Sequence, residues 1–310
     1  MSILDLRTSP SNLPRIGADN VFRRGVITAS AGTGRYAVDW RADRVWAPGD
    51  GAQTLSVVLD EPAAVDYVFL AFHNFAATGT AIAVQRGTGS GWATVLSLAA
   101  PEDDGPIWRS FDADASDQWR VVLTTPAAGE GDPLPALAIL SLGQALELAE
   151  GIQPGWSPPI FGGSGDVVDS VSEDGLLIAR TLHRRPDETT LTLAPLDDDW
   201  MRTYWRPARE RLIRQPWALA WSPLSADRGA ALAWTDGMPP PDRYRETGMM
   251  TVSWPLRMLD RRDVSASDTV QEVPPPLPVL ITSIMLDYDI WLGEGEIADP
   301  GYITIDDYPT

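Results

Sequence analysis

The sequence contains no cysteine and only two histidines, His73 and His183. The absence of cysteine excludes disulfide bonds, thiolate catalysis and cysteine-ligated metal sites. Two histidines leave few groups for a zinc site or a proton relay. The sequence also lacks the GxSxG, HExxH and phosphate-loop motifs, so the enzyme classes that depend on those motifs are not indicated.

Long apolar runs and lysine are missing as well. No run of about 18 apolar residues could span a bilayer, and the N-terminus has no basic region followed by an apolar one. We therefore expect a chain that is made in the cytoplasm and has no membrane span. All 24 basic residues are arginine, against 43 acidic residues, which gives a formal net charge of −19. Such a field repels phosphate backbones, so we expect no nucleic acid partner.

One segment, Asp197 to Trp221, has the pattern of an amphipathic helix. Three aspartates at its start supply an N-cap and favourable negative charge, and arginines follow near its end. Its apolar residues recur at helical spacing, so they form one stripe that must pack on a sheet. Pro207 predicts a kink there, or two short helices that meet at that point. The stripe consists of Trp200, Tyr204, Trp205, Ala208, Leu212 and Ile213.

Most of the remaining sequence alternates like β-structure between clusters of turn residues. A first group of predicted strands lies at 53–59, 65–71, 80–85, 92–98, 107–111, 118–124 and 136–142. Their number and spacing are typical of a jelly-roll β-sandwich. A second group surrounds the helix, at 167–171, 176–182, 188–193, 217–222, 231–235 and 248–258. The predicted fold class is therefore mainly β, with a jelly-roll sandwich followed by an α+β domain that has one main helix.

Stretches rich in glycine and proline divide the chain. The sequence GIQPGWSPP at 151–159 is typical of a linker between domains. We predict an N-terminal arm at 1–24, a β-sandwich at 25–149, a linker at 150–160, an α+β domain at 161–260 and an extended acidic C-terminal arm at 261–310. The C-terminal arm either adds a strand to a neighbouring subunit or returns to its own chain.

The segment from 25 to 148 resembles the galactose-binding-like, discoidin-type sandwich domains. The resemblance rests on ITAS at 27–30, QTLSVVLDEPAAVDYVFLAFHN at 53–74 and LSLG at 140–143. Such domains often bind sugars through loops at one end, with aromatic rings stacked on the sugar. The resemblance therefore makes four tryptophans possible glycan ligands, namely Trp46, Trp92, Trp108 and Trp119. Trp108 is the preferred candidate because loop residues flank it, and the alternative for all four is a place in the core.

Two other groups of polar residues are candidates for a site. DADASD at 112–117 places Asp112, Asp114 and Asp117 where alternating oxygens could hold a structural calcium ion, as some discoidin-like sandwiches do. EF-hand spacing is absent, and the alternative is a solvated turn. His73 follows an apolar run, and we interpret it as a hydrogen-bonded turn residue. No other metal or cofactor is predicted.

The order of segments from about 161 to 260 resembles the barrel-with-helix domain of the distal tail proteins of long-tailed bacteriophages. The resemblance rests on VSEDGLLIARTLHRR at 171–185, LAPLDDDWMRTYWRPARERLIRQPWALAWSP at 193–223 and AWTDGMPPPDRYRETGMMTVSWPLRML at 233–259. It implies a β-barrel-like domain that joins its neighbours in a ring, with the sandwich facing outward. The chain departs from the simplest of these proteins because its sandwich precedes the barrel.

These resemblances predict a virion structural protein without enzymatic activity, made in the host cytoplasm and located at the tail tip or baseplate as a distal or minor tail protein. The predicted partners are further copies of itself in a ring (trimer or hexamer), the tail tube, hub and tape measure proteins, and host-surface polysaccharide. The alternatives are a stand-alone carbohydrate-binding protein and a glycan-cleaving enzyme. The enzyme stays open because a catalytic pair of carboxylates can come from anywhere in a sequence.

Overall fold

The computed structural model of the protein describes residues 12–158, 165–173, 176–184, 186–224, 229–244 and 248–259. All of them belong to one compact unit, Met1–Thr269. The predicted C-terminal arm at 261–310 lies outside the described residues, as do the first eleven residues of the predicted N-terminal arm. The domain boundaries stay predictions.

The described chain consists mainly of strands. They are β1 (Arg15–Gly17), β2 (Val26–Ala29), β3 (Gly51–His73), β4 (Ala81–Gly87), β5 (Trp92–Leu98), β6 (Ile107–Thr125), β7 (Leu137–Gly143), β8 (Leu146–Glu147), β9 (Gly165–Val171), β10 (Leu177–Arg184), β11 (Asp187–Leu196), β12 (Trp217–Ala220), β13 (Ala230–Trp234), β14 (Asp242–Tyr244) and β15 (Met249–Leu259). The helices are α1 (Phe75–Thr78), α2 (Asp198–Trp200) and α3 (Arg206–Arg214), with a π-helical turn at Met201–Trp205 and 3₁₀ turns at Val21–Arg23 and Gly34–Val38. The predicted fold class, mainly β with one main helix, is confirmed.

The first sheet has the order β2-β3-β6-β4-β5, and β7 also pairs with β3. Its pairs are antiparallel. Strands β3 and β6 have 23 and 19 residues, whereas the sequence predicts two shorter strands in place of each. The residues between the predicted strands stay extended because they pair with one another, Ala63 with Ser116 and Val65 with Asp114.

Both halves of β3 contribute to one buried core. Leu55 and Val57 from its first half lie in the same apolar cluster as Val68 and Leu70 from its second half. Irregular pairing between Val58 and Ala63 separates the two halves. Because β-bulges bend and twist a strand, the sheet turns on itself and encloses its core as a sandwich.

The second sheet has the order β11-β15-β13-β12-β1-β8, and β14 also pairs with β15. Strands β1 and β8 are neighbours in this sheet, although the whole first sheet lies between them in the sequence. Residues 151–158 run beside β11, where the Gln153 amide donates to the Thr192 carbonyl at 3.0 Å. The segments that precede and follow the first sheet in the sequence are therefore both bound to the second sheet.

The main helix begins and breaks where the sequence predicts. The Asp197 carboxylate accepts hydrogen bonds from the amides of Asp199 and Trp200, at 2.8 and 3.2 Å. The π-helical turn ends just before Pro207, which has no amide hydrogen to donate to the preceding turn. Trp205 packs on Trp254 of β15 with ring centroids 4.8 Å apart. No helix in the described ranges is long and apolar enough to cross a membrane.

A third buried cluster joins the two sheets. Tyr67, Phe69 and Trp108 of the first sheet pack with small apolar residues of β12 and β13. The Tyr67 hydroxyl donates to the Asp19 carbonyl at 2.5 Å and lies 2.7 Å from the Ser141 hydroxyl. Burial raises the pKa of Tyr67, so the phenol stays protonated and keeps this hydrogen bond. The contact between the two sheets is thus apolar, and the Tyr67 hydroxyl binds the segment that follows β1 to the first sheet.

Candidate functional site

Three of the four tryptophans predicted as glycan ligands lie in the core. Trp46 and Trp119 are fully buried and Trp108 is 3% exposed. Each indole N–H has a partner inside the protein: Trp46 donates to the Ala31 carbonyl, Trp119 to the Ser116 carbonyl and Trp108 to the Ser110 hydroxyl. A ring without an accessible face cannot stack on a sugar, so the prediction for these three is corrected to a place in the core.

Trp92, the fourth, lies on the outer face of the first sheet and is half-buried. The guanidinium carbon of Arg120 lies 4.2 Å from its ring centroid, a distance typical of a cation–π contact. Arg120 Nε donates to Gln85 Oε1 at 2.6 Å, and Gln85 Nε2 donates to Thr94 Oγ1 at 2.9 Å. One face of the ring is therefore occupied by a fixed cation, and a role of Trp92 in sugar binding stays a prediction.

The aspartates predicted for calcium do not form a metal site. Asp112 and Asp117 are exposed, and Asp114 pairs with Arg86 at 2.5 Å. Among the residues that the structure describes, no three His, Asp or Glu side chains come together to hold a metal ion. The prediction is corrected because these residues belong to the extended strand β6, which does not curl its carboxylates around one point.

His73 is buried at the end of β3. Its Nδ1 accepts a hydrogen bond from the Phe75 amide at 3.4 Å and lies 3.9 Å from the Asp104 carboxylate. Burial lowers the pKa of His73 to about 4, although the charge of Asp103 acts in the opposite direction. The imidazole is thus neutral at pH 7. The hydrogen bond is as predicted, but His73 is the last residue of strand β3 and not part of a turn. Burial keeps the ring from an outside ligand.

A cleft of about 660 Å³ opens at the surface of the first sheet, between residues 22–29 and 32–39. Its polar side chains are Arg23, Thr33, Arg35 and Asp39. The lining residues are Phe22, Arg23, Gly25, Val26, Ile27, Ala29, Gly32, Thr33, Gly34, Arg35, Val38 and Asp39. The volume lies within the usual range for small-ligand sites, about 300–1,000 Å³. We take this cleft as the candidate site.

The walls of the cleft are held close to β3. A Cβ atom at Gly34 would clash with Leu55 and Ala29, and one at Gly25 would clash with the carbonyl of Val58. Both walls therefore need glycine to pack this closely. Arg23 also connects the cleft to the C-terminal end of α3, because its Nη1 donates a hydrogen bond to Gln215 Oε1 at 2.5 Å. The cleft is consequently preformed.

The backbone beside the cleft has an unfavourable conformation. Trp40, which follows Asp39, has a φ of 64°, in the left-handed region that bulky residues rarely adopt. Its ring is buried in the cluster between the two sheets. Residues held in such conformations cost about 1–3 kcal/mol and cluster at functional sites. The strain is therefore a second reason to place a function at this end of the sandwich.

No family model matches the sequence. No curated protein matches it either. Solved structures of carbohydrate-binding modules are similar to the sandwich. Chitosan-binding module 1 of a chitosanase/glucanase from Paenibacillus sp. IK-5 is 22% identical over 41% of this chain and 99% of its own, with a TM-score of 0.34. Module 2 of that enzyme, in complex with chitotriose, is 25% identical over 39% of this chain and 97% of its own, with a TM-score of 0.32.

The family 32 carbohydrate-binding module of NanJ from C. perfringens, in complex with galactose, is also similar. It is 15% identical over 42% of this chain and 98% of its own, with a TM-score of 0.33. These similarities concern about two-fifths of the chain. With TM-scores below 0.5, they carry no argument about its ligand, and none of the three is a tail protein.

The cleft residues are functional candidates that the sequence does not identify. The segment ASAGTGR at 29–35 is rich in small residues, so by itself it predicts only a turn. The opposite wall, 22–29, comes from a different element and meets it only in the fold. The available signal is the pair of glycines Gly32 and Gly34 before an arginine, which is too short to identify a binding site.

Proposed function

We propose that the protein binds a glycan and that the cleft between residues 22–29 and 32–39 is the binding site. The observation that carries the proposal is the preformed cleft, which combines apolar and polar walls. The Thr33 hydroxyl and the Asp39 carboxylate can exchange hydrogen bonds with sugar hydroxyls. Val26 and Ile27, which line the cleft and are exposed and half-buried, offer apolar surface to the C–H groups of a sugar ring. Chitotriose and galactose, the ligands of the similar modules, are the first probes.

Filling the cleft should weaken binding. Val26 lines the cleft and is 73% exposed, so Val26→Trp adds volume at the mouth without a clash in the core. On a glycan array that includes both probes, wild-type protein should give a defined set of bound glycans. The affinity of Val26→Trp for those glycans should be at least about tenfold lower than that of wild-type protein, because a loss of about 1.4 kcal/mol of binding free energy is enough for that change.

Leu134→Trp is the matched control, because Leu134 is 49% exposed and does not line the cleft. It should bind as the wild type does. Equal binding by wild-type protein and Val26→Trp would place the sugar elsewhere, with the outer face at Trp92 as the next candidate. Release of new reducing ends from the bound glycan would favour the glycan-cleaving alternative.

A second candidate function is structural: a subunit of a phage tail tip. The observation that favours it is the double connection between the two sheets, through β1 and β8 and through the shared buried cluster. Such a connection suits a subunit that transmits force between a host-facing sandwich and an assembled ring. The assignment to a tail also rests on the sequence resemblance of residues 161–260. Its proposed location is the virion, with tail tube, hub and tape measure proteins as neighbours.

The ring predicts a discrete oligomer. Light scattering on the full chain, at concentrations on both sides of about 1 μM, should give the mass of a trimer or a hexamer, because closed symmetric rings have fixed copy numbers. The chain mass is 33.7 kDa, so the three states are well separated. A monomer at every concentration, even with purified tail tube and hub proteins present, would contradict the structural proposal and leave the glycan-binding proposal standing.

A further inference from the structure

Two arginines of the cleft, Arg23 and Arg35, have no acidic partner among the described residues. Arg23 donates to the neutral side chain of Gln215, and neither Arg23 nor Arg35 forms an ion pair with a described residue, although other surface arginines do. The chain carries 43 acidic residues against 24 arginines. Both guanidinium groups line the same cleft and form a local positive site.

The third charged group of the cleft is Asp39, whose carboxylate is partly engaged. Its Oδ1 accepts a hydrogen bond from the Arg41 amide at 3.1 Å. The charged side chains of the cleft thus sum to one positive charge, in a protein with a net charge of −19. A ligand that places a negative group between the arginines would complete the site, whereas a neutral ligand would leave both guanidinium groups without an anion.

We propose that the cleft selects a sugar that carries a carboxylate, such as a uronic acid unit of an acidic polysaccharide. This inference rests on the proposed glycan binding and adds its ligand class. A guanidinium forms two parallel hydrogen bonds with a carboxylate. Val26 and Ile27, which line the cleft and are exposed and half-buried, face the ring that bears the group. The remaining hydroxyls of the sugar form hydrogen bonds with Thr33 and Asp39, which also line the cleft.

The cleft also discriminates between sources of negative charge. A highly sulfated chain carries more than one negative charge per sugar unit, so the net negative charge of the protein repels it more strongly than a chain with one carboxylate per unit. A guanidinium can form two hydrogen bonds with either a planar carboxylate or a tetrahedral sulfate ester, so the difference in charge between the two ligands decides. The preferred ligand is consequently a sugar chain with a single carboxylate on each unit.

The test is calorimetric titration of the full chain with trigalacturonic acid, the neutral trimer galactotriose and a sulfated galactose trimer. Wild-type protein should bind the acid at least about tenfold more tightly than the neutral trimer, the change expected for one charge-assisted contact. Arg35→Gln should lower the affinity for trigalacturonic acid at least about tenfold more than it lowers the affinity for galactotriose. Arg44→Gln is the control, because Arg44 lies over the Tyr36 ring and does not line the cleft.

Arg35 is exposed, so its substitution leaves the fold intact, and the thermal midpoint of each variant checks this. Equal or tighter binding of the neutral trimer, with no effect of Arg35→Gln, would overturn the carboxylate inference and keep the glycan proposal. Tighter binding of the sulfated trimer would also overturn the inference. No binding of any probe, together with an empty glycan array, would overturn both proposals.

Discussion

Trp108→Ala should lower the free energy of unfolding by about 3–5 kcal/mol. The indole stacks on Tyr67 with ring centroids 4.5 Å apart and lies in the buried cluster between the two sheets. Its removal leaves a cavity that the surrounding side chains cannot fill without shifting, because protein interiors are closely packed. Urea unfolding followed by far-UV circular dichroism measures the change, since the midpoint reports stability when the slope is unchanged.

Trp92→Ala is the control for Trp108→Ala, because it removes the same side chain from the outer face of the same sheet. Trp92 is half-buried and touches Arg120, so we expect a loss below about 1 kcal/mol, as is usual for surface positions. If Trp108→Ala unfolded at the wild-type urea concentration and instead lost glycan binding, the indole would be a ligand contact and the burial argument would fail.

The main helix could be predicted from the sequence because its signals are local. The amides that Asp197 caps lie within the next three residues. The regular α-helix is interrupted by a π-helical turn close to Pro207, as the proline predicts. Both effects depend on residues that lie within one or two turns of the helix from each other. Strand positions were predictable for a similar reason, since alternation of apolar and polar residues extends over only a few positions.

The burial of Trp108 could not be predicted, because it depends on distant segments. The neighbouring sequence, EDDGPIWRS, is polar and rich in turn residues. The indole is covered by Tyr67, whose hydroxyl bonds to Asp19, and by Gly17 of β1, where a Cβ would lie 2.9 Å from the indole. The same limit applies to the cleft, whose two walls meet only after β2 has paired with β3. Long-range pairing decides both features.

Lowering the pH from 7 to 4 should destabilise the protein through His73 by up to about 3 kcal/mol. The unfolded chain binds a proton near the ordinary pKa of 6.5, whereas burial lowers the pKa of the folded imidazole to about 4. Each unit of pKa difference is worth about 1.4 kcal/mol. Because the folded pKa is depressed, the stabilisation is fully present above pH 6.5 and is lost as the pH falls toward 4.

His73→Leu isolates this effect, because it removes the titrating group and leaves the carboxylates in place. The free energy of unfolding of wild-type protein minus that of the variant should be constant above about pH 7.5 and fall by about 3 kcal/mol by pH 4. Burial raises the pKa of Asp66, so the stabilisation from its protonation is present at low pH and is lost as the pH rises through that pKa. This opposite contribution is common to both proteins and cancels in the difference. A difference that does not change with pH would contradict the prediction. It would mean that the imidazole binds a proton equally well in the folded and the unfolded chain, because water or Asp104 stabilises the protonated ring in the folded protein.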